Sequence, residues 1–279
     1  MTSRDTRAAT HEARLYAHFL DDGEGGPERE GGADRGLTLA ERIQRRVPNV
    51  GLIARNQRLF VLRAVRTVAE HYGIRQFLDI GSGPDHAPNV HEVAQAIDPV
   101  SRVVYVDRDE AAMASLSARW EGDDRVGCLT ADVREPESIL RSPVVRGTID
   151  FDQPVALLLA SVFLFVEDED DPAGIIERLV EELPCGSHVV FSQGTYDYDG
   201  DRRTVELLTS LYAEGGMAVT PRGKATIAGF LEGAGLEILP PGIVPTNRWR
   251  PETEARATPD ALPGDEADSC IHAVLARKP

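Results

Sequence analysis

The residues with the clearest chemical potential form a short segment in which an acidic residue precedes a glycine turn. Residues 76–84 read Gln-Phe-Leu-Asp-Ile-Gly-Ser-Gly-Pro, an apolar run of strand length followed by two glycines. A helical pattern opens a few residues later. A strand, a tight turn and a helix N-terminus bring backbone N–H groups close to a ligand, and glycine lets that ligand approach without a Cβ in the way. The segment therefore predicts a ligand-binding loop containing Asp79, Gly81, Ser82 and Gly83.

The residues around this loop indicate which kind of ligand it binds. The dinucleotide fingerprint has a third glycine three residues after the second, where His86 stands, so pyrophosphate and nicotinamide cofactors are disfavoured. The carboxylate of Asp79 instead suits a positively charged ligand. S-adenosylmethionine carries an ammonium and a sulfonium and has no phosphate, so it fits this loop better. The alternative is that Asp79 only caps the turn.

Two further acidic residues follow the next two predicted strands. Asp107 and Arg108 come directly after the strand at 102–106, and Asp107 lies 24 residues after Gly83. A carboxylate at this place can accept hydrogen bonds from both ribose hydroxyls. Asp132 and Val133 follow the strand at 126–130, where a carboxylate can accept from an adenine amino group. Each acid alone is a common cap or turn residue, but together they predict a nucleoside-binding edge.

Composition and charge limit the partners of the chain. Its 279 residues are 42% hydrophobic, which is ample for a sizeable core, and its formal net charge is −16. Nucleic-acid backbones and anionic membranes would be repelled, so neither is the expected partner. The sequence has no apolar run of membrane-spanning length and no signal-peptide core at its N-terminus, which predicts a cytoplasmic protein. Its oligomeric state is not predicted.

The cysteines do not indicate a metal site. Cys128, Cys185 and Cys270 are widely spaced and odd in number. Metal sites and disulfide frameworks use regular spacings or even numbers. We therefore expect three buried, reduced thiols and no bound metal.

The hydrophobic pattern predicts an α/β protein with a helical N-terminal cap. Helical periodicity is present at 11–20, 37–46 and 53–71, and these segments define a cap over residues 1–72. From residue 73 to 279, strands and helices alternate, which is typical of a doubly wound, Rossmann-like and mostly parallel sheet. A polar stretch at 250–268 is predicted to be a surface loop. The seven expected strands are Phe77–Ile80, Arg102–Val106, Val126–Thr130, Val155–Ser161, His188–Ser192, Leu236–Leu239 and Cys270–Ala276.

Five longer motifs give the chain a family resemblance. They read Asn-Val-His-Glu-Val-Ala-Gln at 89–95, Val-Val-Tyr-Val-Asp at 103–107, Phe-Asp-Gln-Pro-Val-Ala-Leu-Leu-Leu at 151–159, Asp-Glu-Asp-Asp-Pro at 168–172 and Arg-Trp-Arg-Pro at 248–251. With the three acids, they resemble the S-adenosyl methyltransferase family known mainly from actinobacteria, within the class I S-adenosylmethionine-dependent methyltransferases. The resemblance implies the fold, the cofactor S-adenosylmethionine and the cap, but no particular substrate.

The chain also departs from the pattern that this resemblance implies. Residues 22–27 read Asp-Gly-Glu-Gly-Gly-Pro where family members carry a Gly-Gly-Lys-Asp-like motif, so the lysine is missing. Leu164 and Gln193 stand where members carry histidines. Two hypotheses follow: a methyltransferase acting on a small-molecule acceptor, and a non-catalytic protein that binds S-adenosylmethionine or S-adenosylhomocysteine. Family membership favours the enzyme.

The sequence offers candidates for contact with an acceptor, but no recognised catalytic triad. Methyl transfer needs mainly alignment and exclusion of water, and a base only where the nucleophile keeps its proton. The candidates near the expected strand ends, the glycine loop and the cap are Ser161, Phe163, Tyr16, His86 and Tyr196. Ser161 is also expected to contact the cofactor. We expect His91 and Glu92 to cap and orient the glycine loop.

Overall fold

The fold is built around a single mixed sheet. The computed structural model describes residues 12, 14–20, 38–198, 202–250 and 270–279. The strands are β1 (Gln76–Ile80), β2 (Arg102–Asp107), β3 (Val126–Thr130), β4 (Ala156–Ala160), β5 (His188–Gly194), β6 (Glu237–Ile238), β7 (Val244–Pro245) and β8 (Ile271–Arg277).

The order of the strands creates one switch point in the sheet. The order is β3-β2-β1-β4-β5-β8-β6, and β7 pairs with β8 outside this path. Strands β1 to β5 are parallel, whereas β8 runs antiparallel to β5. From β1 the chain builds outward through β2 and β3, then returns to add β4 on the other side of β1. Ligands of doubly wound sheets bind at the carboxyl ends of the strands at such a point.

Helices cover both faces of the sheet. They are α1 (residues 14–20), α2 (Leu39–Arg46), α3 (Val50–His71), α4 (Val90–Ile97), α5 (Glu110–Arg119), α6 (Pro136–Leu140), α7 (Pro143–Thr148), α8 (Pro172–Glu181), α9 (Arg202–Glu214) and α10 (Lys224–Gly233). Apolar side chains of α3, α4 and α5 pack on one face, and those of α6, α7, α8 and α10 pack on the other. Alternate residues of each strand enter the two cores, as the two-residue period of a strand requires.

The first helices form a separate apolar cluster with α9. Leu15 and Phe19 of α1 and Ile43 of α2 are buried against Leu211 of α9 and Met217. The long helix α3 links this cluster to the sheet, because its first turns join the cluster and its later turns pack on the strands. A division of the chain at residue 72 stays a prediction.

The expected fold class is confirmed, with one added strand. Seven strands lie where the pattern places them, and the two-residue strand β7, which pairs with β8, adds to them. A strand this short carries no readable alternation. Among the described residues, no helix combines the length and apolar character needed to cross a membrane. The polar stretches at 22–27 and 251–268 lie outside the described residues.

The prediction of three buried thiols is wrong in part. All three cysteines are free, as expected, and Cys270 is buried. Cys128 is only partly buried, and Cys185 is exposed. Cys185 lies in the turn between α8 and β5, where the chain crosses the surface.

Candidate functional site

The glycine turn after β1 has a backbone that requires glycine. Gly81 and Gly83 have φ angles of 75° and 69°, in the left-handed region. A Cβ on Gly81 would lie 2.6 Å from the Cβ of Val162, so that position has no room for a side chain. The N–H groups of Gly81 and Ser82 donate to the Val106 carbonyl at 2.7 and 3.2 Å. These bonds fix the turn against the end of β2.

One cavity of about 240 Å³ opens at the carboxyl ends of the strands. Its polar side is formed by the residues after β1, β2 and β3, together with residues of α1 and α3. Its apolar side is formed by α3, α9 and the segments next to β4, β5 and β8. The polar side includes Glu12, Tyr16, Arg58, Asp79, Gly81, Ser82, Gly83, Asp107, Arg108, Asp132, Val133 and Arg134. The apolar side includes Val50, Ile53, Ala54, Val61, Leu164, Phe165, Val205, Leu208, Thr209, Val219, Pro221 and Ile271.

Asp79 is a buried carboxylate that faces this cavity. Only 4% of its surface is exposed, and no described residue donates a hydrogen bond to it. Burial raises its pKa to about 7; the charge of Arg58 opposes this increase and that of Asp107 adds to it. A cationic ligand beside Asp79 would favour the ionised form. The site is therefore suited to bind positive charge.

Asp107 connects the end of β2 to the glycine turn. Its Oδ2 accepts from the Gly83 N–H at 2.8 Å, and its Oδ1 accepts from the Asp109 N–H at 2.9 Å. Burial raises the pKa of Asp107, and the two backbone hydrogen bonds oppose that increase. Each oxygen has further acceptor capacity on the cavity side. The carboxylate can thus accept from ligand hydroxyls while it holds the loop.

Asp132, after β3, is held by its neighbour Arg134. The guanidinium donates to both carboxylate oxygens, at 3.0 Å to Oδ1 and 2.6 Å to Oδ2. Burial works to raise the pKa of Asp132, but the hydrogen bonds and charge of Arg134 outweigh it and lower the pKa. Asp132 therefore stays ionised at neutral pH. Asp132 and Val133 both line the cavity, and the contact of Asp132 with an adenine amino group stays a prediction.

Three charged residues that line the cavity, Glu12, Arg58 and Arg134, were not predicted from the sequence. Glu12, next to α1, forms an ion pair with Arg108, and burial raises the Glu12 pKa to about 7 despite that partner. Arg58 of α3 lines the cavity and donates to the carbonyls of His86 and Pro88 at 2.7 and 2.6 Å. The helical period at 53–71 does not indicate that Arg58 faces the glycine loop, and only the packing of α3 in the tertiary fold brings it there.

Two of the five candidates for acceptor contact line the cavity. Ser161 adopts a left-handed φ of 61° at the end of β4, and its Oγ lies 3.2 Å from that of Ser192. Tyr16 lies over the glycine turn, since a Cβ on Gly83 would be 3.8 Å from its ring, and burial raises the Tyr16 pKa to about 12.

The structure places the other three candidates outside the cavity lining. Phe163 is fully buried against Phe191, with ring centroids 5.8 Å apart. The carbonyl of His86 accepts from Arg58, and its N–H donates to Asn89 Oδ1 at 3.4 Å. Tyr196 is 46% exposed and donates to the Pro221 carbonyl. The 3-10 turn at Val162–Phe165 buries Phe163 and presents Leu164 and Phe165 instead.

Four further positions that the sequence singled out lie on α4, after β4 and in β5. Glu92 caps α4, because its Oε2 accepts from the Asn89 N–H at 2.6 Å. His91 does not cap the loop: it is buried, and both its N–H and its Nδ1 contact the Tyr105 hydroxyl. Leu164 lines the cavity, whereas Gln193 is fully buried and donates to the Thr220 carbonyl at 2.8 Å.

The residues present fit S-adenosylmethionine as a ligand. A buried carboxylate without a hydrogen-bond donor suits its ammonium and sulfonium, and the turn at Gly81 leaves no room for a Cβ. Two buried polar atoms beside the turn, Ser82 Oγ and Arg58 Nε, have no partner among the described residues. Buried polar groups are nearly always hydrogen-bonded in proteins, so these atoms are consistent with a polar ligand.

The fold and this site define a class I methyltransferase, and the comparisons with known proteins agree. A mitomycin 7-O-methyltransferase shares the fold with a TM-score of 0.50 at 18% identity, covering 100% of this chain and 69% of that one. The model of the S-adenosyl methyltransferase family matches residues 2–279. The chain belongs to that family, and its cofactor is S-adenosylmethionine.

Two solved structures are similar over nearly the whole chain. A DUF574 family protein from Streptomyces avermitilis is 36% identical with a TM-score of 0.83, covering 99% of this chain and 100% of that one. A putative methyltransferase from Thermobifida fusca is 30% identical with a TM-score of 0.80, covering 95% and 94%. We found no match among curated proteins.

Proposed function

We propose that this protein transfers the methyl group of S-adenosylmethionine to a small, uncharged and mostly apolar acceptor. One observation carries the proposal: a single cavity has both the acids that suit the cofactor and an apolar side formed mainly by α3 and α9. We call the space along this apolar side the apolar chamber. A binding protein needs only the polar side of that cavity. An apolar chamber next to it provides space for a second molecule.

The chain's own residues bind and orient the reactants. S-adenosylmethionine supplies an already activated methyl group, so the protein need not generate an electrophile. Asp79 would hold positive charge, Asp107 the ribose hydroxyls and Asp132 the adenine amino group. Gly81 and Gly83 allow the backbone to approach closely. These contacts would fix one reactant at the strand ends while the second enters from the apolar side.

Alignment and exclusion of water would provide most of the acceleration. Phe19 of α1 and Tyr212 of α9 line the cavity and belong to the apolar cluster of the first helices and α9, which would help to exclude water. Effective molarities of well-oriented reactants are worth up to about 7–11 kcal/mol. No carboxylate or histidine lies on the apolar side among the described residues. The site therefore favours nucleophiles that need little help from a base.

An assay of S-adenosylhomocysteine release over an acceptor panel tests the proposal. The panel contains neutral phenols and amines, charged metabolites and protein extracts. We expect release to depend on a neutral, apolar acceptor. Tight cofactor binding with no release for any acceptor over hours would show a non-catalytic binder, and activity confined to charged or protein acceptors would refute the acceptor class.

A matched pair of variants tests where the acceptor binds. Thr209 of α9 lines the apolar side, whereas its neighbour Ser210 is exposed. Thr209→Trp should fill the chamber and abolish turnover while cofactor affinity stays unchanged. Ser210→Trp should leave both unchanged. Full turnover in Thr209→Trp would mean that the acceptor binds elsewhere.

A further inference from the structure

One buried polar atom on the apolar side of the cavity has no partner among the described residues. It is the side-chain oxygen Oε1 of Gln57, in the third turn of α3. The other unpaired atoms on lining residues, Arg58 Nε and Ser82 Oγ, lie beside the glycine turn, where the proposed cofactor would bind. Gln57 belongs to the wall of the apolar chamber and needs a separate explanation.

The amide of Gln57 is held in place by a chain of hydrogen bonds. Only 4% of the residue is exposed, and its Nε2 donates to Ser192 Oγ at 2.7 Å. Ser192 is fully buried, and its Oγ lies 3.2 Å from Ser161 Oγ at the end of β4. Because the nitrogen is bound to β5, the orientation of the amide is fixed. The oxygen is left as a buried acceptor without a donor, on a residue that lines the cavity.

The residues next to Gln57 on the cavity-lining face of α3 are apolar. Ile53, Ala54 and Val61 lie three or four residues away on α3, so they share its face, and all three line the cavity. A buried carbonyl oxygen among such side chains is unfavourable unless a donor reaches it. An apolar chamber with one fixed acceptor is therefore complementary to an apolar molecule that carries one hydrogen-bond donor.

We propose that Gln57 Oε1 accepts a hydrogen bond from an O–H or N–H group of the methyl acceptor and so selects its chemical class. This inference rests on the proposed function, because it assumes that the chamber holds the acceptor. Gln57 is a specificity-determining residue, and Ser192 is a positioning residue that acts through it. Purely hydrocarbon molecules of the same shape would leave the oxygen unpaired and bind less well.

A pair of probe molecules tests this without knowledge of the natural acceptor. p-Cresol and p-xylene have nearly the same shape and differ by a hydroxyl in place of a methyl group. Their affinities are measured by titration into the protein saturated with S-adenosylhomocysteine. The preference for p-cresol is the Kd of p-xylene divided by the Kd of p-cresol. The preference of the wild type is then divided by the preference of Gln57→Leu. We expect this ratio to be about two- to tenfold, the effect of one hydrogen bond.

Thr67→Val is the matched control. Thr67 is also buried on α3, and its hydroxyl has no partner among the described residues, but it does not line the cavity. This variant should leave the preference unchanged, and both variants should bind S-adenosylhomocysteine as the wild type does. Should Gln57→Leu fail to fold, Gln57→Met provides the same measurement.

Three outcomes overturn the inference: an equal preference in wild type and Gln57→Leu, an equal shift in Thr67→Val, or no binding of either probe. The proposed function fails on a different result, the absence of S-adenosylhomocysteine release with any acceptor. With an active acceptor in hand, Gln57→Leu should raise the KM of that acceptor and leave the KM of S-adenosylmethionine unchanged.

Discussion

The affinity for S-adenosylmethionine should rise with pH through the region near 7. Burial holds the pKa of Asp79 at about 7 in the ligand-free protein, so much of this carboxyl is protonated at mildly acidic pH. Only the ionised form attracts an ammonium or a sulfonium. Ligand binding should therefore require that Asp79 lose its proton, and binding below neutral pH should release a proton to the buffer.

The size of the effect follows from the pKa of Asp79, which is about 7. A group with this pKa is about one-eleventh ionised at about pH 6 and about three-quarters ionised at about pH 7.5. The affinity should thus increase about eightfold between these values, which corresponds to about 1.2 kcal/mol. Asp79→Asn should bind the cofactor more weakly at all pH values and lose this dependence.

Isothermal titration at several pH values, in buffers of different ionisation enthalpy, measures both affinity and proton release. Glu12→Gln is the control, because the pKa of Glu12 is also raised to about 7 and the residue lines the same cavity. The pH dependence should persist in Glu12→Gln. If the affinity of the wild type does not change with pH, Asp79 is not protonated near pH 7 in the free protein. If the affinity of Asp79→Asn changes with pH as the wild type's does, another group causes the pH dependence.

The same carboxyl makes a prediction for the ligand-free protein. Its folded-state pKa lies above the unfolded value, so its contribution to stability is present at low pH and is lost as pH rises through about 7. Asp79→Asn should therefore increase the melting temperature more at about pH 8 than at about pH 5. Thermal unfolding at both pH values, without cofactor, checks this. An equal increase at both would contradict it.

Three further predictions concern single residues. Asp107→Ala should weaken cofactor binding by about 1–3 kcal/mol, measured by titration, because it removes charge-assisted hydrogen bonds; unchanged affinity would exclude Asp107 from the site. Gly81→Ala should lower the melting temperature and the cofactor affinity together, since its Cβ would meet Val162 at 2.6 Å in a left-handed backbone; wild-type values for both would contradict the turn geometry. Burial lowers the pKa of His188 to about 4, so the contribution of this residue to stability is lost as pH falls from about 6.5 to about 4. His188→Leu should therefore reduce the acid sensitivity of the melting temperature. An unchanged pH profile would argue against a neutral buried imidazole.

The fold class and the three acids on the polar side of the cavity were predictable from the sequence alone. Alternating apolar strands and helices of ordinary length have a strong period, so the parallel sheet was predictable. Asp79, Asp107 and Asp132 each follow a strand, and the carboxyl ends of parallel strands meet at one edge. That local rule was sufficient to predict that the three acids line one cavity.

The rest of the cavity lining depends on packing between distant segments, which local sequence patterns do not reveal. The apolar side combines α3, α9 and the ends of β4, β5 and β8, which are far apart in the chain, and no local spacing indicates which of their faces meet. The same limit applies to single residues. Arg58 and Gln57 look like ordinary polar residues on an amphipathic helix, and Phe163 looks more accessible than it is. Their exposure depends on how α3 is rotated against the sheet and on the left-handed turn at Ser161, and these are set by packing between distant segments.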